Sequence, residues 1–464
     1  MKHAKKILAA LLAGLLTFSA CACSPSEALS SDDVQGSGGN PQAEPQGYAL
    51  QRHEKADVPA FPDEEEYLES GDWDAYNAAY DAWFAFDAAR REAAYSYEGL
   101  LNAYVRKALP VFLQPADPAE NAVCSPVNIW LALAMLAETT EGETRKELTD
   151  LLGISDMQQL RETAANVFTA NYTDDGSATS LPSASIWMNR EVQYKEDLLK
   201  ILAEYYAADS FRGDMSDKAY SAAFKDWLKA ATGGLLDESV DKLPDFDQET
   251  VLALATAIYF KAAWAENFQE AATRAQTFHG AKGDQEFDFM HQTERMSYFR
   301  GDNFAAIGKR MTNAGTMWFV LPDEGVTPAE LVNSGAAADF LEDPYRFTAG
   351  SYEVTLAMPK FDVNADLDLK EVLPKLGVER IFDDRADFSP LTDTQDLEVS
   401  SASHSARVKV DEDGVEAAAF TVFLVEATAA LEPQRIDFIL DRPFLFAVTG
   451  VDGLPLFCGV VNSL

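Results

Sequence analysis

Few residues in this 464-residue chain are spaced for chemistry of their own. No G-x-S-x-G, H-E-x-x-H or paired C-x-x-C pattern occurs. Of the four cysteines, Cys21 and Cys23 stand near the start, while Cys124 and Cys458 sit in apolar, strand-like contexts that suit buried free thiols. Asp362, Asn364, Asp366 and Asp368 alternate like calcium ligands, but Leu367 occupies the position where such a loop needs glycine, and no glutamate closes it. Acids at a helix start, favoured by the helix dipole, are the better reading. No metal and no cofactor is expected.

What remains is a stretch suited to being acted upon, residues 410 to 433: V-D-E-D-G-V-E-A-A-A-F-T-V-F-L-V-E-A-T-A-A-L-E-P. Its local preferences conflict, because Gly414 permits unusual backbone, the alanines favour helix and the β-branched and aromatic residues after them favour strand. Loop, helix and strand all stay open. Small side chains would let such a segment slot between two existing strands without the overpacking that bulk would impose. The plainer alternative is a strand edge followed by a surface helix.

Elements that could position this stretch flank it and precede it. N-A-V-C-S-P-V-N-I-W-L-A-L-A-M-L-A, residues 121 to 137, predicts a short strand, a Ser125-Pro126 entry and a buried helix, since proline is tolerated in a first helical turn. L-A-L-A-T-A-I-Y-F-K-A-A-W-A-E-N-F, residues 252 to 268, is an almost continuous apolar run and predicts a strand buried on both faces. Ser185 to Met188 reads as strand, Tyr194 to Tyr206 as helix, Phe224 to Leu236 as helix and turn, and residues 366 to 391 as a helix ended by Gly377 followed by an aspartate-rich loop.

Together with S-H-S-A-R-V-K-V upstream, R-P-F-L-F-A-V-T-G and L-P-L-F-C-G-V-V-N downstream, and M-H-Q and M-P-K-F at 290 to 292 and 358 to 361, these segments resemble the serpins over residues 95 to 464. The resemblance implies an α+β fold of three β-sheets with eight or nine helices and an exposed reactive-centre loop at about 412 to 433. It makes Glu412, Gly414, Val415, Glu416, Ala417, Ala418, Ala419 and Thr421 the loop's hinge. It groups Ser125, Asn128, Thr256 and His404 as a polar shutter beneath the strands that part. Asn128 replaces the family's second serine and Thr256 its asparagine, a swap that could preserve the network. Lys360, Glu412 and Trp264 match a latch, the breach, at the head of the central sheet. Its alternative is a surface ion pair contributing about 0–1 kcal/mol.

The resemblance further implies inhibition of a serine protease through a covalent acyl-enzyme complex, with no catalytic residue in this chain. Val415, Ala417, Ala419 and Thr421 would turn inward on period-two geometry, and all are small or β-branched. Counting sixteen positions on from Glu412 places the attacked bond at Thr428-Ala429. Counting back from Arg442-Pro443 gives the same residue or Glu432, depending on the length of the downstream segment. Small residues from Ala427 to Ala430 point to an elastase-like or subtilisin-like target. A non-inhibitory binding protein and a structural surface lipoprotein are the alternatives.

Before residue 95 the chain changes character. Lys2, Lys5 and Lys6, the apolar run Ile7 to Phe18 and small residues before a cysteine read as a lipoprotein signal over residues 1 to 20, with Cys21 as the lipidated residue and Cys23 as fallback. Residues 21 to 62 read as a flexible tether. Residues 63 to 94 carry Tyr67, Trp73, Tyr76, Tyr80, Trp83, Phe84 and Phe86 among acids at helical spacing, an extra helix packed on the body or binding a partner. A net charge of -39 argues against nucleic acid and anionic membrane surfaces as partners. Localisation outside the cell on a lipid anchor, and a monomeric state, complete the expectation.

Overall fold

The computed structural model describes residues 5–11, residues 47–415 apart from 52, 54–55, 65–66 and 68–70, and residues 434–464. Among these residues eighteen strands form two hydrogen-bonded networks of nine. The first contains β1 (Lys5–Leu11), β2 (Ala49–Gln51), β4 (Thr173–Asp174), β5 (Ala178–Asn189), β6 (Asp209–Gly213), β7 (Thr250–Ala263), β13 (Phe361–Asp368), β14 (Leu397–Val410) and β15 (Gly414–Val415). The second contains β3 (Ala122–Cys124), β8 (Arg274–Gly280), β9 (Gly283–Arg300), β10 (Phe304–Met311), β11 (Gly315–Pro322), β12 (Thr348–Pro359), β16 (Arg435–Ile439), β17 (Phe444–Thr449) and β18 (Pro455–Val461).

Three sheets were expected; hydrogen bonding joins the strands into two networks, because β9 is long enough to serve three neighbours. Its residues 283 to 289 pair with β8, 289 to 299 with β12, and 298 to 300 with β10. The α-helices among the described residues number eleven rather than eight or nine. The count includes the N-terminal helix Trp73–Ser96 and several helices of only four to seven residues.

The centre of the first sheet follows from the alternation within β7. Leu252, Leu254 and Phe260 point into the main core, whereas Ala253, Ala255 and Ala257 point to the other face, against an aromatic cluster of Trp187, Phe211, Tyr220, Phe224 and Trp227. Both faces are therefore buried, which is why the run is apolar throughout. Beneath the main face lies the helix Pro126–Glu138, buried along its whole length and opened by proline in its first turn.

Several boundaries differ from expectation. Lys5–Leu11, expected within a leader, forms β1, parallel to both β14 and β7. An apolar run that suits a secretory signal equally suits a strand flanked on both sides. The tether reading overshoots its end: β2 pairs with β6, Tyr48 packs on Tyr220 at 4.8 Å, and Phe61 donates its backbone N–H to Asp175 at 2.8 Å. Sparse aromatic residues fix this polar stretch from residue 47 onward; Cys21 lies outside the described residues. The aspartates 362 to 366 belong to β13, where Asp362 pairs with Arg407 and Asp366 accepts from Ser405. Only Asp368 caps a helix, accepting from the Lys370 N–H at 2.8 Å.

The expected aromatic helix is α1 (Trp73–Ser96), opened by Asp72, which accepts from the Ala75 N–H at 3.1 Å. The next helix, α2, runs from Asn102 to Phe112. One face of α1 packs: Trp83 Nε1 donates to Asp175 at 2.9 Å, and buried Arg90 donates from Nε to the Ala170 carbonyl at 3.1 Å. Trp73, Tyr80 and Phe84 on the rest of the helix are exposed.

Candidate functional site: a slot between two parallel strands

Strands β7 and β14 run parallel with a gap between them, and the gap is filled from both ends. At its head the chain leaves β14 at Val410, turns through Asp411 to Asp413, and returns as β15, antiparallel to both neighbours. Val410 pairs with Val415, Gly414 with Ala263 and Val415 with Ala262. Gly414 is required here for closeness: a Cβ on it would lie 2.2 Å from the Ala262 carbonyl oxygen. At the foot, β1 pairs with Leu397–His404 of β14 and with Thr250 to Leu254 of β7. Between them lies a cavity of about 30 Å³ lined by Ile258, Phe260, Ala406, Val408 and Val415, with Ser125 and Asn128 on its floor.

A set of hydrogen bonds holds the turn at the head. The Trp264 N–H donates to the Asp413 carbonyl and the Phe268 N–H to that of Glu412, both at 3.0 Å. The indole Nε1 of Trp264 donates to the Asp411 carbonyl at 3.0 Å. Lys360 Nζ lies 2.7 Å from Glu412 Oε1, and Thr273 Oγ1 donates to the same oxygen at 2.7 Å. Burial pushes the Glu412 carboxyl up, but the bonds from Lys360 and Thr273 outweigh it and hold the group below its ordinary value. The same bond raises the Lys360 ammonium. Buried Lys309 lies beneath, 5.6 Å from the Trp264 ring centre and 4.6 Å from that of Phe268, its charge met by Glu294 and Gln292.

At the floor the four expected polar residues meet as two pairs. Thr256 Oγ1 donates to Asn128 Oδ1 at 2.9 Å, so a hydroxyl and an amide satisfy one another across the sheet–helix boundary. The Ser125 N–H donates to His404 Nε2 at 3.0 Å, which requires that nitrogen to be unprotonated. The Ser125 hydroxyl has no partner among the described residues. The structure thus brings Trp264, Lys360 and Glu412 together at the head and Ser125, Asn128, Thr256 and His404 at the floor. Glu416, Ala417, Ala418, Ala419, Thr421, Thr428 and Ala429 lie outside the described residues. Thr273 and Lys309 were not expected; nothing in their local sequence marks a role, because each acts through residues distant in the chain.

A family model described as "Serpin (serine protease inhibitor)" matches residues 109–464. The chain is a serpin. It belongs to a family of protease inhibitors rather than enzymes. This serpin is 30% identical to Serpin-Z1A of Triticum aestivum over 382 residues, covering 78% of this chain and 94% of that one. It is 29% identical to an uncharacterised serpin-like protein of Thermococcus kodakarensis over 371 residues, covering 78% and 84% of the two chains. Among solved structures, the thermophilic serpin tengpin in its native state superposes with a TM-score of 0.68 at 28% identity, over 79% of this chain and 94% of that one. Human thyroxine-binding globulin complexed with its ligand superposes with a TM-score of 0.67 at 26% identity, over 80% and 99%. Helix α1 precedes the matched region.

Proposed function

We propose that this serpin inhibits serine endopeptidases as a suicide substrate, and that the observation carrying the reading is β15. The first two residues beyond the turn are already paired in the slot. Continuing that register, each further loop residue moves one position back along both neighbours, so Thr421 would arrive opposite Thr256 and His404, with Ala417 and Ala419 turned inward above it. The protease serine would attack the Thr428 carbonyl, expel the Ala429 amine and remain joined as an ester. The freed strand would then insert and carry the protease with it. Small residues around the bond favour an elastase-like or subtilisin-like partner. No residue of this chain would act on the ester.

Full insertion to Thr428 reaches the positions that β1 occupies on β14. Cleavage of the leader before Cys21 would remove β1 and clear the lower slot, and lipidation of Cys21 would place the inhibitor, as a monomer, at the outer cell surface.

A second reading, a non-inhibitory binding protein, is favoured by a cleft of about 1020 Å³ lined by Arg91, Tyr97, Asn102, Trp318, Leu341 and Arg346. The deciding experiment mixes the chain from residue 24 onward with elastase and with subtilisin. A denaturation-resistant band at the summed mass, and a released peptide beginning at Ala429, support trapping. Complete loop cleavage with fully active protease supports the binding protein.

A further inference from the structure

The two cysteines of the serpin body lie far apart in sequence yet meet in space. Cys124 of β3 stands directly opposite Cys458 of β18 in an antiparallel ladder, and both are buried free thiols. Directly opposed residues in such a ladder point to the same face, with Cα atoms about 4.5 or 5.5 Å apart according to the type of pair. A disulfide accepts Cα separations of roughly 4.4–6.8 Å, so either type qualifies. The Cβ atoms must close by at most about 1 Å, from about 4.5–5.5 Å to about 3.5–4.5 Å. The strands already approach tightly beside them, since a Cβ on Gly459 would lie 2.9 Å from the Ala122 carbonyl oxygen. β3 has three residues and forms the sheet's edge, so the shift is confined to a short segment.

We propose that Cys124 and Cys458 are a disulfide site, closed when the chain folds in the presence of a low-molecular-weight disulfide. One thiolate attacks the oxidant, releasing one of its halves as a thiol. The second thiolate then displaces the other half from the mixed disulfide. A sulfur–sulfur bond forms within the protein, and two electrons and two protons leave on the two released thiols. Burial raises both thiols and keeps them neutral, so the folded protein reacts slowly and the bond belongs to folding or to an opened state.

The position gives the bond a consequence. β3 runs directly into Ser125, whose N–H meets His404, so the link ties the chain's last strand to the residue at the slot's floor. Both strands belong to the second sheet and make no backbone pairs with β7 or β14, the strands that flank the slot; β18 reaches the cavity through Phe457 alone. The bond therefore raises resistance to unfolding and leaves the slot free to fill.

The test refolds the reduced full chain in mixed oxidised and reduced glutathione and maps its peptides without reduction. The expected result is a single species joining the Cys124 and Cys458 peptides, lighter than the two thiol peptides by the mass of two hydrogens. Its melting temperature is raised, and the rise is lost on reduction and absent in Cys458→Ala. Full alkylation of both cysteines after the oxidised sample is denatured overturns the proposal, as does pairing only through Cys21 or Cys23. Peptide mapping uses the unaltered chain, so its result stands even where the variant folds poorly.

Discussion

Lys360 Nζ and Glu412 Oε1 lie 2.7 Å apart at the head of the slot, one side chain 40% exposed and the other 9%. The pair joins the end of β12 to the turn from which the loop departs. The Glu412 carboxyl titrates below its ordinary value of 4.5, so the stabilisation it contributes is present above that value and is lost as pH falls through the lower, folded value. Solvent screening of Lys360 keeps the contribution at about 0–1 kcal/mol. Thermal melts of the natural chain and Glu412→Gln should differ at neutral pH and converge in acid, once the pH has fallen through the lowered, folded value. A gap that persists in acid would remove the ion pair from the explanation.

Gly414→Ala should expel β15 from the slot, because its Cβ would meet the Ala262 carbonyl oxygen at 2.2 Å. Hydrogen exchange at Val415 should accelerate while β7 and β14 keep their protection. With a target protease, a larger fraction of the variant should end as cleaved, uncomplexed chain.

Asn128→Ala removes the acceptor of the buried Thr256 hydroxyl and should cost about 1–3 kcal/mol. Denaturant unfolding measures it. The double variant Asn128→Ser with Thr256→Asn exchanges the amide and the hydroxyl and should recover much of that loss. Recovery absent, the coupling between these two positions would be wrong.

Ala417→Glu places a charge where the register turns the loop inward. Cleavage by elastase should continue while the covalent band disappears.

A chain retaining residues 1 to 20 should trap protease less efficiently than one beginning after them, because β1 holds Leu397–His404 of β14. Complex yields on denaturing gels, at equal protease, give the comparison. Equal yields would show that the loop displaces β1 unaided.

Much of this architecture could be read from residues in order, and the reason is local. β7 announces itself through an apolar run that only a strand buried on two faces needs, and the helix after Pro126 through its entry proline. Lys360, Trp264 and Glu412 were legible through the motifs that flank them. Other features depend on partners far away in the chain. Thr273 looks like any surface threonine until Glu412 arrives beside it. Arg90 and Asp87 read as solvent-facing charges of α1, yet both are buried against the helix Met157–Asn171 and its neighbours. The apolar start of the chain satisfies two roles, and composition alone does not choose between a leader and β1.

The pairing of Val415 with both neighbours has a kinetic meaning. Starting a new strand is the costly part of adding one, since chain entropy is lost before contacts repay it. Here the nucleus exists before any bond is cut. On the proposed mechanism, insertion would be propagation, one ladder step at a time, past the floor where Thr256 and Asn128 are engaged. The molecule would be a zipper held at its second tooth, its speed set by what must leave the slot below that point.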